Sequence, residues 1–314
     1  ALSYSMIRIV FDEALWPRAI GLVSGMWGVA TLVGPAIGGI FAELGIWRAA
    51  FWSLAPVIAV FAIMAMTVLP RESGSAASND RLAWPQLILL TAAVLAVSAG
   101  SISSELALNA GGVALAIVLL LLLAAVEKKA GRRILPKGSF NIQKLGALYL
   151  TLALLSASVT SSEVFVPLFF QVLHNQSPLA AGYLAASMGG SWTLGSIGSS
   201  GIAVGRTDRI ILAAPVMGVA GMVTLAVLIP AGSEGHWYDL LPICIALAVI
   251  GFGVGLTWPH LLTRIFKRAD AEDQNLASAS VTMVQLFTTA LGAALAGMVA
   301  NMAGLTDPGG FIGT

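Results

Sequence analysis

Apolar residues in this chain are gathered into long runs, neither alternating nor confined to one helical face. Reading from each charged or Gly/Pro-containing break to the next places spans at about 19–42, 49–69, 85–104, 110–126, 146–173, 178–204, 210–229, 241–263 and 277–303. Residues 1–10 read as the tail of a further helix. About 20 apolar residues cross a bilayer's hydrocarbon core as a helix. Backbone groups in lipid must be satisfied internally, which leaves helices or closed barrels, and stretches such as Ala114 to Ala125 lack a barrel strand's alternation. The pattern predicts an all-α, polytopic membrane protein of about nine complete transmembrane helices plus an N-terminal stub. No stretch reads as a soluble domain. The longest polar loops are Arg71 to Trp84 and Glu127 to Lys144.

Charge sharpens this topology. When the breaks are placed alternately on two sides, one side receives all of the 16 Lys and Arg residues except Arg48. The positive-inside rule makes that side cytoplasmic, and a helix wrongly split or merged in the middle would have destroyed the asymmetry. Composition agrees, at 58% hydrophobic and 10% charged, where a soluble domain carries about 25% charged residues. The single cysteine, Cys244, rules out an intrachain disulfide and reads as a packing residue. No secretory signal is visible, and the start at Ala1 near the end of an apolar segment predicts that a beginning is missing.

Catalytic and metal chemistry find no constellation. His174, His236 and His260 lie in separate segments without ligand spacing. There is no phosphate-binding glycine loop followed by Lys and Ser/Thr. The expectation is no enzyme, no cofactor, no metal and no nucleic-acid partner, the basic loop 127–144 being explained by topology.

The span at 19–42 carries Gly21 and Gly25 four apart, and Ala30, Gly34 and Gly38 four apart, stripes on which another helix can approach backbone to backbone. Pro35 bends it near the middle. Arg18-Ala19, Gly34-Pro35-Ala36-Ile37-Gly38-Gly39 and Trp47-Arg48-Ala49-Ala50-Phe51 together resemble helix five of major facilitator superfamily transporters. The Gly34, Pro35, Gly38, Gly39 element resembles that superfamily's antiporter motif of drug:proton exchangers, with Ala30 replacing one glycine of the longer pattern. Val166-Pro167-Leu168-Phe169-Phe170-Gln171 and Ser177-Pro178-Leu179-Ala180-Ala181-Gly182 resemble the fourteen-helix branch. Gly205, Arg206, Asp208 and Arg209 resemble a shortened copy of the cytoplasmic loop motif and read as a charge latch.

An internal repeat accompanies the resemblance. Gly34 to Gly39 aligns with Gly292 to Gly297, and Ser24 with Thr282; parallel repeats build the two halves of such transporters. The implied organisation is the end of an N-terminal half over 1–69, a linker with two extra helices over 70–144, and a C-terminal half over 145–314. On that frame helices one to three, most of four, and fourteen are absent, and the chain reads as a fragment. The resemblance implies a multi-pass protein of a bacterial cytoplasmic (inner) membrane, monomeric, with lipid, protons and a small-molecule substrate as partners. It would move drugs or other small molecules by proton-coupled antiport. The alternatives are a metabolite, sugar or siderophore symporter of the same fold and a non-transporting membrane subunit.

Polar residues within spans are expensive in hydrocarbon and tend to face a bundle's interior. Tyr149, Ser156, Thr160, Glu163, Pro167 and Gln171 share one helical stripe, and Ser278, Thr282, Gln285, Thr289 and Gly292 share another. Both stripes are candidate cavity linings; Ser and Thr could equally satisfy their own helix's carbonyls. Glu163 is the carboxylate placed well inside a span, suited either to proton exchange or to a hydrogen bond with a neighbouring helix. Trp27, Trp192 and Trp258 fit a greasy cation site and fit packing equally well.

Overall fold

The computed structural model describes residues 7, 10–68, 82–103, 105–202 and 207–305. Its elements are helices α1 (Trp16–Glu43), α2 (Arg48–Val68), α3 (Trp84–Gly100), α4 (Leu106–Lys129), α5 (Ala147–Glu163), α6 (Val166–Val172), α7 (Pro178–Ser199), α8 (Thr207–Leu228), α9 (Trp237–Arg268) and α10 (Gln274–Met302). The expected N-terminal stub lies largely outside the described residues. Over the described residues each of the nine expected spans is largely helical, one of them interrupted, and the bundle is a polytopic helical membrane architecture without strands among the described residues. By length and composition, seven of the helical segments can cross a membrane alone. The 17-residue α3 and the Gly- and Ser-rich α7 are not among them. α7 packs between α1 and α9 while leaving Leu194 and Ile197 exposed.

One span departs from expectation. The stretch 146–173 is not a single helix: a π-helical turn, Ile142–Gly146, leads into α5, which stops at Glu163, and α6 resumes at Val166. Pro167 is the cause. It has no N–H to give the Glu163 carbonyl four residues back, and its ring crowds that oxygen. The break therefore falls directly after the carboxylate-bearing residue. The opposite correction applies to 241–263. α9 runs on to Arg268, because Lys267 and Arg268 in its last turn complement the partial negative charge of the helix end.

α9 is the centre of the bundle. Ile243, Leu247, Ile250, Val254, Leu261 and Ile265 are each 2% exposed or less, and α7 and α8 flank it. Lipid supplies little driving force for helix association, so close approach and dispersion carry it. Gly255 shows how: a Cβ there would strike the Trp192 backbone of α7. α1 packs on the far side of α7, α5 on α10, and α3 and α4 form a pair whose α3 leans on α10. Lys267 Nζ to Glu13 Oε1 (2.7 Å) and the edge contact of Trp16 with Phe266 tie the start of α1 to the end of α9.

The pair α3/α4 is fastened at both ends. Glu127, 3% exposed, accepts the N–H groups of Ile134 (2.6 Å) and Leu135 (2.7 Å) and the Gln86 amide (3.3 Å). That folds the following loop back over α3 and α4. Asp273, just before α10, holds the same loop: Arg133 donates to both carboxylate oxygens (3.1 and 2.9 Å) and the Lys137 N–H donates at 2.7 Å. At the opposite end Asn301 Nδ2 donates to the Ser101 carbonyl at 2.6 Å.

Candidate functional site

α1, α5, α7, α9 and α10 enclose a cavity of about 230 Å³ near the middle of their lengths. α5 contributes Ser156, Val159, Thr160 and Glu163; α10 contributes Gln285, Leu286 and Thr289. α1 presents Ser24, Trp27 and Thr31, α7 presents Met188, Gly189 and Trp192, and α9 presents Trp258. The cavity has two unlike walls. The α5 and α10 wall carries hydroxyls, an amide and a carboxylate. The opposite wall is aromatic, with the Trp192 and Trp258 rings 5.2 Å apart and inclined at 58°.

Each polar group is held differently. Thr160 donates to the Ser156 carbonyl at 2.9 Å, and Thr31 to the Trp27 carbonyl at 2.9 Å, so these hydroxyls are occupied by their own helices. Ser24 accepts from Ser196 of α7 at 2.9 Å, pinning α1 to α7 beside the cavity. Ser156 is 4% exposed, and its hydroxyl has no hydrogen-bond partner among the described residues. Glu163 is exposed, and among the described residues its carboxylate forms no ion pair or hydrogen bond.

Of the sequence-derived stripes, Ser156, Thr160, Glu163, Gln285 and Thr289 are brought together. Tyr149 is buried away from the cavity, its hydroxyl 2.6 Å from Ser280 Oγ. Gln171 lies beyond the break and donates to the Pro167 carbonyl at 3.0 Å. Ser278 is fully buried and donates to the Gln274 carbonyl at 3.3 Å. Thr282 faces a separate apolar groove between α10 and α3, with Leu87, Leu90 and Phe287 among its neighbours. The α5 stripe is cut short because α6 takes a new course after Pro167. The α10 stripe divides because α5 and α3 hold different faces of that helix.

The glycine motif is also redistributed. Gly21, Gly28 and Gly39 are where α1 meets α7, and a Cβ at Gly39 would lie 2.7 Å from Leu179 Cα. Pro35 lies against Gly182 on the same face. Gly34 and Gly38 have no atom within 4 Å of a Cβ position, so the expected stripe of Ala30, Gly34 and Gly38 is not the packed one. At 100° per residue, positions 21, 28, 35 and 39 fall within an arc of about 40°, whereas 34 and 38 are turned roughly a quarter to a third of a circle from its centre. In the cytoplasmic loop motif, Gly205 and Arg206 lie outside the described residues. Asp208 pairs with Arg264 of α9 at 2.6 Å, and Arg209 is exposed.

The sequence reading missed Ser24, Thr31, Met188 and Gly189 as cavity residues. Their signal was present: Ser24, Thr31 and Pro35 recur at 7 and 4 residues on one face of α1, but the glycines drew attention to packing alone.

At the opposite end from the basic residues, His174 is 1% exposed. Its Nε2 lies 3.2 Å from the Ile229 carbonyl and must carry the proton; Nδ1 then accepts from Ser233 Oγ at 2.8 Å. Burial pushes this histidine below its ordinary value, against the carbonyl contact and the Asp239 charge, which raise it. It clasps the α6–α7 turn to the segment between α8 and α9. His260 contacts the Ser199 carbonyl at 3.0 Å and serves packing at the end of α7.

A helical bundle with a polar-aromatic cavity between its helices is the architecture of a membrane carrier. The match to the Major Facilitator Superfamily model extends over residues 1–296, and the chain belongs to that superfamily. It is 35% identical over 96% of its length to a probable multidrug-efflux transporter of Mycobacterium tuberculosis (strain H37Rv). It is 27% identical over 93% of its length to the puromycin resistance protein of Streptomyces alboniger, and 24% over 78% to the tetracenomycin C resistance and export protein of Streptomyces glaucescens. The chain spans 65%, 59% and 47% of these relatives, respectively.

Proposed function

We propose that this chain carries the substrate pathway of a secondary transporter that exports small amphipathic molecules in exchange for protons, by alternating access. The observation that carries the reading is the cavity: aromatic on one wall, polar on the other, with Glu163 as its charged lining residue. The names of the relatives, which describe efflux and resistance proteins, support the outward direction.

On this reading residues 1–69 end one half, 70–144 are a linker with the helix pair α3/α4, and 145–314 belong to the second half. The α1–α7 seam is then where the halves meet, and rocking about it opens the cavity to one side at a time. Glu163 takes a proton when its end of the cavity is wet and releases it on the other side, so protonation follows which state is populated. The basic ends of the helices face the cytoplasm of a bacterial inner membrane, and the transporter works as a monomer without cofactor.

The test is accumulation of a fluorescent amphiphile in cells with and without the expressed gene. Lower steady-state accumulation that a protonophore abolishes supports proton-driven export. Equal accumulation, or a difference insensitive to the protonophore, refutes it.

A further inference from the structure

We infer that the groove between α3 and α10 holds one acyl chain of an anionic phospholipid, with its headgroup at the basic loop that joins α4 to α5. The site lies outside the central cavity and is independent of the transport reading.

The first observation is the shape between the helices. Ala93 and Val97 of α3 and Ala116 of α4 are each 3% exposed or less, and Leu291, Ala294 and Leu295 of α10 pack against them. Nearer the basic end the same helices leave a groove of about 590 Å³, lined from Leu87 to Leu95 on α3 and from Ala279 to Phe287 on α10. Eight residues of helix rise about 12 Å, most of the roughly 15 Å that one leaflet's hydrocarbon provides. Apart from Thr91 and Thr282 the lining is apolar.

The second observation is that the helices are fastened on either side of this groove, so they cannot simply close it. At its wide end the loop spans the gap. Gln86 of α3 donates to the Arg132 carbonyl at 2.8 Å and to Glu127 at 3.3 Å, while Arg133 grips Asp273 ahead of α10. At the far end Asn301 holds the Ser101 carbonyl. Leu95 and Leu286 remain 60% and 64% exposed on the groove, and apolar walls without a partner forfeit their dispersion contacts. Water would find few polar partners there. In a bilayer the neighbour that can slide between two fastened helices is a lipid chain.

The third observation selects the headgroup. Residues 127–144 hold six Lys or Arg and one acid, Glu127, which is buried and engaged by backbone N–H groups. Of the six, Arg133 is matched by Asp273 and Lys137 by Glu272. Lys128 and Lys129 are exposed and form no ion pair among the described residues. The loop across the mouth of the groove therefore carries an excess of positive charge, at the end that the positive-inside rule puts at the cytoplasm. Basic clusters beside a gap between transmembrane helices on that side attract anionic headgroups.

The experiment places the purified chain in phosphatidylcholine nanodiscs doped with a phosphatidylglycerol that carries a diazirine midway along one acyl chain. After irradiation the adducts are mapped by peptide mass spectrometry, with the exposed face of α8 at Val216, Val219 and Val223 as the lipid-facing reference. Segments 87–95 and 279–287 should be labelled above that reference. Their labelling should also be about fivefold higher than with a diazirine phosphatidylcholine at the same dose. Ala279 and Thr91 are exposed, so Ala279→Trp and Thr91→Trp can each fill the groove without disturbing the packed faces. Each should bring the labelling down to the reference. Groove labelling no higher than at α8, equal labelling by the two lipids, or labelling that both variants leave unchanged overturns the inference. A groove that stays unlabelled in a chain that runs as a dimer belongs to a second copy, which overturns it as well.

Discussion

Two adjacent glycines, Gly38 and Gly39, should respond oppositely to the same methyl group. At Gly39 a new Cβ would stand 2.7 Å from Leu179 Cα and 3.0 Å from Leu179 Cβ. The obstacle is partly backbone, so α7 must withdraw from α1 by about 1 Å to restore an ordinary carbon contact. Overpacking of this kind costs about 1–3 kcal/mol. Helix propensity returns about 0.5–1 kcal/mol for replacing glycine by alanine, leaving Gly39→Ala neutral at best and about 2.5 kcal/mol destabilised at worst. At Gly38 the propensity gain stands alone, because nothing lies within 4 Å. Gly38→Ala should therefore be about 0.5–1 kcal/mol more stable than the parent. The two variants should differ by about 1–3 kcal/mol, read as thermal or denaturant unfolding of the purified chain in the same micelles. Equal stabilities, or the order reversed, would refute the assignment of the α1–α7 seam to the 21/28/35/39 face.

Asp273→Asn removes the charge that pairs with Arg133 and weakens the contact with the Lys137 N–H, and should lower stability by about 1–3 kcal/mol. Proteolysis should become faster within 130–141; an unchanged digestion pattern would mean that the loop is held by other contacts. His174 has a folded value pushed below the ordinary one, so the unfolded chain binds more protons as pH falls through about 6.5. Its contribution is complete above that pH, declines below it and levels off beneath the folded value. His174→Gln should flatten that part of the stability profile, and an unaltered profile would place the titration elsewhere. For topology, single cysteines replacing Gly131 and Glu234 in a Cys244→Ala background should differ in labelling by an impermeant thiol reagent on intact cells. The cysteine at 234 should label and the one at 131 should not; equal labelling would contradict the orientation. Glu234 is chosen over Gly235, whose φ of +85° a side chain would strain.

The helices were legible because hydrocarbon thickness sets a length and the basic residues mark one side. Trp16–Glu43 and Gln274–Met302 lie within about four residues of the spans drawn from the apolar runs. What periodicity could not convey was which neighbour lies against each face. Thr282 and Gln285 fall on one stripe of α10, yet α3 holds the first and the cavity the second. Pro167 shares the stripe in the sequence, but only the fold shows that the break begins directly after Glu163 and removes Gln171 from the cavity. The glycine motif announced close packing, while the choice between Gly38 and Gly39 depends on where α7 crosses. The clip of Arg133 on Asp273 joins residues 140 apart, a pairing no local pattern encodes.

The central claim, proton-linked export through the Glu163 cavity, is tested most directly by transport into everted membrane vesicles from cells expressing the gene. Vesicles are loaded acidic inside, substrate uptake against its own gradient is followed, and the parent is compared with Glu163→Gln. The account predicts uphill uptake by the parent that collapses with the pH gradient. It predicts that Glu163→Gln binds substrate but does not accumulate it. Uphill uptake by Glu163→Gln at the parent's rate and with the parent's pH dependence would contradict the account.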